Sequence, residues 1–171
     1  MGFTHRNVTT PLGEMLAMAD ENSLVALEFT EPERLDPQLG RLRKRLRGIW
    51  QEGNTPVLDQ IERELADYYA GHRREFDVSI QLSGTEFQNR VWTELLKIPY
   101  GETRTYGQIA AQLGDPNVVR AVGMANGDNP LAIIVPCHRV IGADGSLTGY
   151  GGGLWRKQRL IELEQGQMPL I

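Results

Sequence analysis

Apolar and polar positions divide the chain into a first stretch of mixed pattern and a second that is largely helical. Residues 15–19 and 24–29 are short apolar runs parted by Asp20-Glu21-Asn22-Ser23, which predicts a β-hairpin with a polar turn. Leu39, Leu42, Leu46 and Ile49 then fall at helical spacing, surrounded by Arg41, Arg43, Lys44, Arg45 and Arg47. A basic run of this kind reads first as a solvated helix face. A clearer helix follows: Thr55 caps it, Pro56 suits its first position, Val57, Ile61, Leu65 and Tyr68 form one stripe, and Gly71 ends it. Phe76, Val78, Ile80 and Leu82 alternate as a half-buried strand does. Residues 1–82 are therefore expected to form a small α/β unit with few catalytic candidates, a support domain.

Residues 83–171 carry sharper signals. Thr85-Glu86-Phe87-Gln88 is a capping-box pattern that opens a helix with Phe87, Val91, Leu95 and Ile98 on one face and a stop at Pro99 and Gly101. A second box, Thr105-Tyr106-Gly107-Gln108, starts a short helix that ends at Leu113-Gly114. Asp115-Pro116 is expected to cap and start the next helix, running from Val118 to Asn126 and stopped by Gly127. Helix, tight turn, helix is a helix-turn-helix pattern. Its second member is built from small apolar residues, with Arg120 as the only charge beside Ala121. That leaves little with which to read base edges but allows close approach to a narrow groove, which predicts minor-groove, sequence-tolerant contact. The apolar run 131–135 predicts a buried strand. A final helix over 154–164 packs through Leu160, Ile161 and Leu163, with Trp155, Arg156, Lys157 and Arg159 placing positive charge near its start. Glu164 sits in the last turn, where the helix dipole disfavours a carboxylate, so a partner is expected for it.

With 171 residues, 40 % of them hydrophobic and 23 % charged, the chain has the composition of a globular protein of one large domain or two small ones. No apolar run approaches the roughly 20 residues of a membrane span, and the first residues lack the apolar stretch of a secretory signal. The expectation is a cytoplasmic protein without a membrane partner. A single cysteine excludes an internal disulfide, and with His5, His72 and His138 scattered, neither a metal nor a cofactor is expected. The net charge of −4 is unevenly held: residues 1–80 carry 10 Lys+Arg against 14 Asp+Glu, residues 81–171 carry 8 against 8. The half containing the cysteine is thus neutral, which permits nucleic-acid binding through a local patch.

That cysteine, Cys137, lies in Pro136-Cys137-His138-Arg139-Val140. A thiol is a useful nucleophile as thiolate, and an adjacent His or Arg favours the anion. Successive residues of a strand point to opposite faces, so His138 can serve Cys137 only where the chain leaves an extended path, and Pro136 is a suitable place for that turn.

This stretch, preceded by Asn129-Pro130 and followed by Gly149-Tyr150-Gly151-Gly152-Gly153, resembles the active-site signature of the O6-alkylguanine-DNA alkyltransferases, and the likeness extends from about Gly84 to Glu164. The resemblance implies a ribonuclease H-like first domain with a small antiparallel sheet, and a mostly helical second domain with a helix-turn-helix. It implies a substrate guanine alkylated on O6 within double-stranded DNA, flipped from the stack, with acceptance of O4-alkylthymine left open. Arg120 would fill the gap with Ala121 close to the groove, and Cys137 would take the alkyl group irreversibly. His138 would act through a bound water, polarised by Glu164. Tyr106 would donate to the guanine ring at N3, and Asn129 would be the hinge between DNA-binding helix and active site. The carbonyls of Cys137 and Val140 would accept from the exocyclic amine, the Gly151 N–H would contact O6, and Tyr150 with the glycines after it would wall the pocket. A monomer is implied, with cooperative assembly on DNA left open. Two alternatives remain: a Cys-His hydrolase or acyltransferase, which would turn over repeatedly, and a non-catalytic sensor of alkylated DNA.

Overall fold

The sheet begins earlier than the apolar runs suggest. Strand β1 (Gly2–Thr10) is polar in sequence, yet Phe3 and Val8 are buried, and it pairs antiparallel with β2 (Gly13–Ala19), which pairs in turn with β3 (Leu24–Phe29). The expected hairpin is therefore the outer part of a larger sheet, its turn closed by Asp20 Oδ1 accepting from the N–H groups of Asn22 and Ser23. Helix α1 (Pro32–Arg45) ends before Ile49, which lies on strand β4 (Ile49–Glu52) with 71 % of its surface exposed. Ile49 is thus not part of the helical stripe. β4 runs parallel to β1 and gives an otherwise antiparallel sheet the order β3-β2-β1-β4. Helix α2 (Pro56–Tyr69) is capped by Thr55, whose side chain accepts from Leu58 N, and buries Ile61, Leu65 and Tyr68.

The structure, a computed structural model, describes residues 2–166, which form two compact units meeting in sequence at Ser83 and Gly84. The strand expected over 76–82 reduces to one bridge, Leu24 with Ile80. The buried Glu64 carboxylate accounts for this, since it takes the N–H groups of Asp77 and Val78 that a ladder would otherwise use.

In the second unit both capping boxes form. Thr85 and Gln88 close the start of α3 (Glu86–Leu95), Thr105 and Gln108 that of α4 (Tyr106–Gln112). Asp115-Pro116 does not start the next helix. Asp115 Oδ1 accepts from Asn117 N to close a turn, and α5 (Val119–Gly127) begins after Val118. α5 turns Val122, Ala125 and Asn126 inward, and Trp92 Nε1 on α3 donates to the Ala125 carbonyl at 2.8 Å. Arg120 and Ala121 face solvent. The run 131–135 is buried as expected but forms consecutive turns rather than a strand, with Ile133 at φ 73°. A short 3-10 turn (Cys137–Arg139) leads into β6 (Val140–Ile141), which pairs parallel with β5 (Arg104–Thr105), and α6 (Leu154–Glu164) follows. Among the described residues no helix is long and apolar enough to cross a membrane.

Candidate active site

The nucleophile candidate is placed by backbone bonds and one asparagine. Asn129, fully buried, donates from Nδ2 to the carbonyls of Val135 (2.8 Å) and Leu131 (3.4 Å) and accepts from Leu131 N (2.9 Å). These bonds hold the turns that Ile133 enters with a positive φ, a conformation unfavourable for a β-branched residue. Pro136 then redirects the chain, and Cys137 opens the 3-10 turn, 4 % exposed. His138 is thereby brought to the same turn instead of the opposite face of a strand.

His138 is fully buried, and its Nε2 lies 2.7 Å from Oε2 of Glu164 on α6. Its Nδ1 has no hydrogen-bond partner among the described residues. Glu164 also receives Arg139, with Nε 2.7 Å from Oε1 and Nη2 3.0 Å from Oε2, while Arg139 Nη1 donates to the Ile98 carbonyl at 2.6 Å. Burial by itself would raise the Glu164 carboxyl; the charge and hydrogen bond of His138 and the guanidinium of Arg139 hold it well below the usual carboxylate range. The partner expected for Glu164 is therefore double. Gly101 closes over this cluster at φ 83°, and a Cβ there would lie 2.9 Å from the Glu164 carbonyl, so the site requires glycine.

On another side of Cys137, Tyr106 begins α4 and donates its hydroxyl to the Thr148 carbonyl at 2.9 Å. Lys157 Nζ donates to the same carbonyl at 2.8 Å and lies 5.7 Å from the Tyr106 ring centroid. Lys157 has no exposed surface, and burial lowers its ammonium from 10.5 to about 8 against the opposing pull of Cys137. Burial raises the Tyr106 phenol, the Thr148 bond opposes this, and Cys137 adds to the rise. Both groups thus share an electrostatic environment with the thiol. Val140 and Tyr150 are buried nearby in sequence, whereas Gly151 is exposed.

Three residues of this cluster were not among the candidates read from the sequence: Arg139, Lys157 and Asn126, whose Nδ2 donates to the Cys137 carbonyl at 3.3 Å. Lys157 could have been found by following its helix face, because 157, 160 and 164 recur at i, i+3 and i+7. Arg120 stands apart on the exposed face of α5, flanked by the exposed apolar side chains of Val119 and Met124. Among the described residues no group of His, Cys, Asp and Glu is arranged to hold a metal ion.

A lone buried thiol with a His–Glu pair behind it, in a helical unit that follows a sheet-and-helix unit, defines a two-domain protein with a built thiol site. Two family models match: the ribonuclease-like domain of 6-O-methylguanine DNA methyltransferase over residues 5–82, and the DNA binding domain of the same enzyme over residues 86–166. The chain belongs to the 6-O-methylguanine DNA methyltransferase family. It is 64 % identical over 165 residues to the methylated-DNA--protein-cysteine methyltransferase of Mycobacterium tuberculosis, covering 96 % of this chain and 94 % of that one. The corresponding Mycobacterium leprae protein is 45 % identical over 163 residues, 95 % and 93 % of the two chains. Among solved structures, M. tuberculosis OGT in complex with DNA matches with a TM-score of 0.83 at 44 % identity, covering 99 % of this chain and 96 % of that one.

Proposed function

We propose that this chain repairs O6-alkylguanine in duplex DNA by taking the alkyl group onto Cys137 in a single turnover. The observation that carries the reading is the buried Cys137–His138–Glu164 arrangement, with His138 Nε2 2.7 Å from Glu164. With Nε2 engaged by the carboxylate, Nδ1 is the nitrogen left to receive the thiol proton, through a bound water as the family resemblance implies. Glu164, held ionised, steadies the imidazolium. The Cys137 sulfur then bonds to the alkyl carbon as the carbon–O6 bond breaks, and guanine leaves with the bonding electrons. Guanine is a poor leaving group as an anion, and Tyr106 is the donor to N3. For this its hydroxyl gives up the Thr148 carbonyl, which Lys157 continues to occupy. The net proton movement is from thiol to guanine. The product is a thioether with no route back to the thiol, so each chain acts once.

Lys157 enters as a buried cation whose charge favours the thiolate. The α4–α5 pair meets DNA, with α5 in the minor groove: its small residues allow close approach, Arg120 enters the space left by the flipped nucleotide, and Ala121 lies against the groove beside it. Support comes from the solved OGT complex with DNA, from the matching DNA-binding family model, and from the exposure of Arg120 between apolar neighbours. Asn129 sets the geometry between α5 and Cys137. Val140 offers its carbonyl to the exocyclic amine, Gly151 its N–H to O6, and Tyr150 walls the pocket. Residues 1–82 serve as the support domain. The test is Cys137→Ser assayed with duplex containing O6-methylguanine labelled in the methyl group. The variant is expected to bind the duplex and acquire no label; label on the variant would overturn the assignment.

A further inference from the structure

Residues 37–51 hold five cations and no carboxylate, although the unit around them is acidic. Arg41, Arg43, Lys44, Arg45 and Arg47 are half of the 10 Lys+Arg of residues 1–80, against 14 Asp+Glu. Elsewhere in the unit Arg6 is held by Asp59 and Glu62, Arg34 by the buried Glu28, and Arg73 by Asp67 and Asp77. Arg43, Lys44, Arg45 and Arg47, by contrast, are exposed and make no ion pair among the described residues.

These four side chains stand on a rigid base. Leu42 and Leu46 fix the last turn of α1 to the sheet, buried with Phe3, Met18, Val25 and Ala26. Trp50 on β4 donates from Nε1 to the Leu46 carbonyl at 3.2 Å, and the Arg43 guanidinium lies 3.6 Å from the centroid of its ring. An aromatic face thus orients the guanidinium while its N–H donors are spent on no carboxylate. The last acid before the patch, Asp36, lies about 10 Å along the axis from Arg43 at 1.5 Å per residue, a full Debye length. The helix dipole favours cations in the last turn, which suits Arg43, Lys44 and Arg45. It does not explain Arg47, which follows the cap residue Leu46, and Arg41 repels Arg45 four residues on.

The second unit has little of this charge to offer. Lys97, Arg104 and Arg139 are in ion pairs, Arg156 and Lys157 are buried, and α5 carries Arg120 as its one cation. Attraction to phosphates supplies most of the sequence-independent affinity for a duplex, so a chain that acts on DNA needs a source of it. We infer that Arg43, Lys44, Arg45 and Arg47 form a second DNA-binding surface, which takes the phosphate backbone of a duplex and reads no sequence. The choice of partner rests on the DNA-repair reading given above. Residues 1–82 then contribute to affinity as well as to support.

The test measures binding of an undamaged, fluorescently labelled duplex by anisotropy at salt concentrations from about 0.05 to 0.3 M. Arg45→Gln/Arg47→Gln is compared with Arg63→Gln/Arg74→Gln, which changes the charge of the same unit equally. The patch variant is expected to reduce the slope of log K against log salt by about 2, at roughly 0.9 per lost phosphate contact, and to bind about tenfold or more weakly at about 0.1 M. The control variant is expected to keep the native slope, and both should take methyl from free O6-methylguanine at the native rate, since no phosphate is involved. Lys44→Gln/Arg47→Gln, judged by the same slope, replaces the patch variant if circular dichroism shows the latter unfolded. An unchanged slope in the patch variant would overturn the proposal and leave the cations as supports of the helix end. An equal fall in both variants would also overturn it, assigning the effect to net charge. A slope that falls in the patch variant alone, with no methyl taken by the native protein, would leave the surface standing and sink the alkyl-transfer reading instead.

Discussion

Lys157 offers a prediction in which stability and activity move in opposite directions. Its ammonium is fully buried, with one carbonyl acceptor, and titrates at about 8 against an ordinary 10.5. A folded-state value below the unfolded one means stability that is present above pH 10.5 and lost as pH falls through about 8. Below pH 8 the protonated amine therefore opposes folding by at most about 3 kcal/mol, the shift of about 2.5 units at about 1.4 kcal/mol each. Lys157→Met keeps the unbranched stem and removes this term, while losing a hydrogen bond that contributes about 1 kcal/mol. The net expectation is a variant about 2 kcal/mol more stable than native at pH 7, an advantage that closes and reverses above pH 10.5. Urea unfolding of both proteins at pH 7 and pH 11 measures this. Methyl transfer by the variant at pH 7 should be slower by about tenfold or more, because an opposite charge beside a titrating group shifts it by a unit or more. A variant less stable than native at pH 7, or a difference that does not change with pH, would refute the reasoning.

Glu164→Gln leaves Arg139 and His138 without their anion, and loss of one partner of a buried pair costs about 3–5 kcal/mol, readable as a lowered urea midpoint. Because the folded Glu164 carboxyl lies below its ordinary 4.5, its contribution is present above that pH and lost as pH falls below it; the variant should lack this acid-side loss, and an equal loss in both proteins would contradict the assignment. Asn129→Ala removes the bonds to Leu131 and Val135 and should lower stability by about 2–3 kcal/mol, seen as a lower thermal midpoint. Gly101→Ala places a Cβ against the Glu164 carbonyl at φ 83° and is expected to cost more than about 1 kcal/mol by the same measurement. Arg120→Ala should slow transfer from duplex far more than from free O6-methylguanine, and equal losses on the two substrates would remove it from the flipping role.

Features encoded within a few residues were legible in the sequence. Both capping boxes and the Thr55 cap depend on side chain and backbone within one turn, and each formed as read. β1 escaped because its central residues are polar. Arg6 is held there by Asp59 and Glu62 at 2.9 and 2.8 Å, partners more than 50 residues away that no local pattern reveals. The run 131–135 misled for the opposite reason: continuous apolar sequence reports burial but not backbone geometry, and here Asn129 imposes turns. At the site, Cys137 and His138 were marked by their motif and Glu164 by its unfavourable place in the helix. Arg139 was read only as a charge beside the thiol and not as a partner of Glu164, and Lys157 was not marked, because a basic residue reads as solvated unless the helix face it shares is followed to its end.

The measurement that bears most directly on the central assignment is intact-mass spectrometry of the native protein after incubation with excess duplex containing one O6-methylguanine, followed by peptide mapping. A gain of one methyl group, stopping at one per chain and located on the peptide containing Cys137, is the predicted result. Continued demethylation beyond one equivalent, or a methyl group on a peptide lacking Cys137, would contradict it.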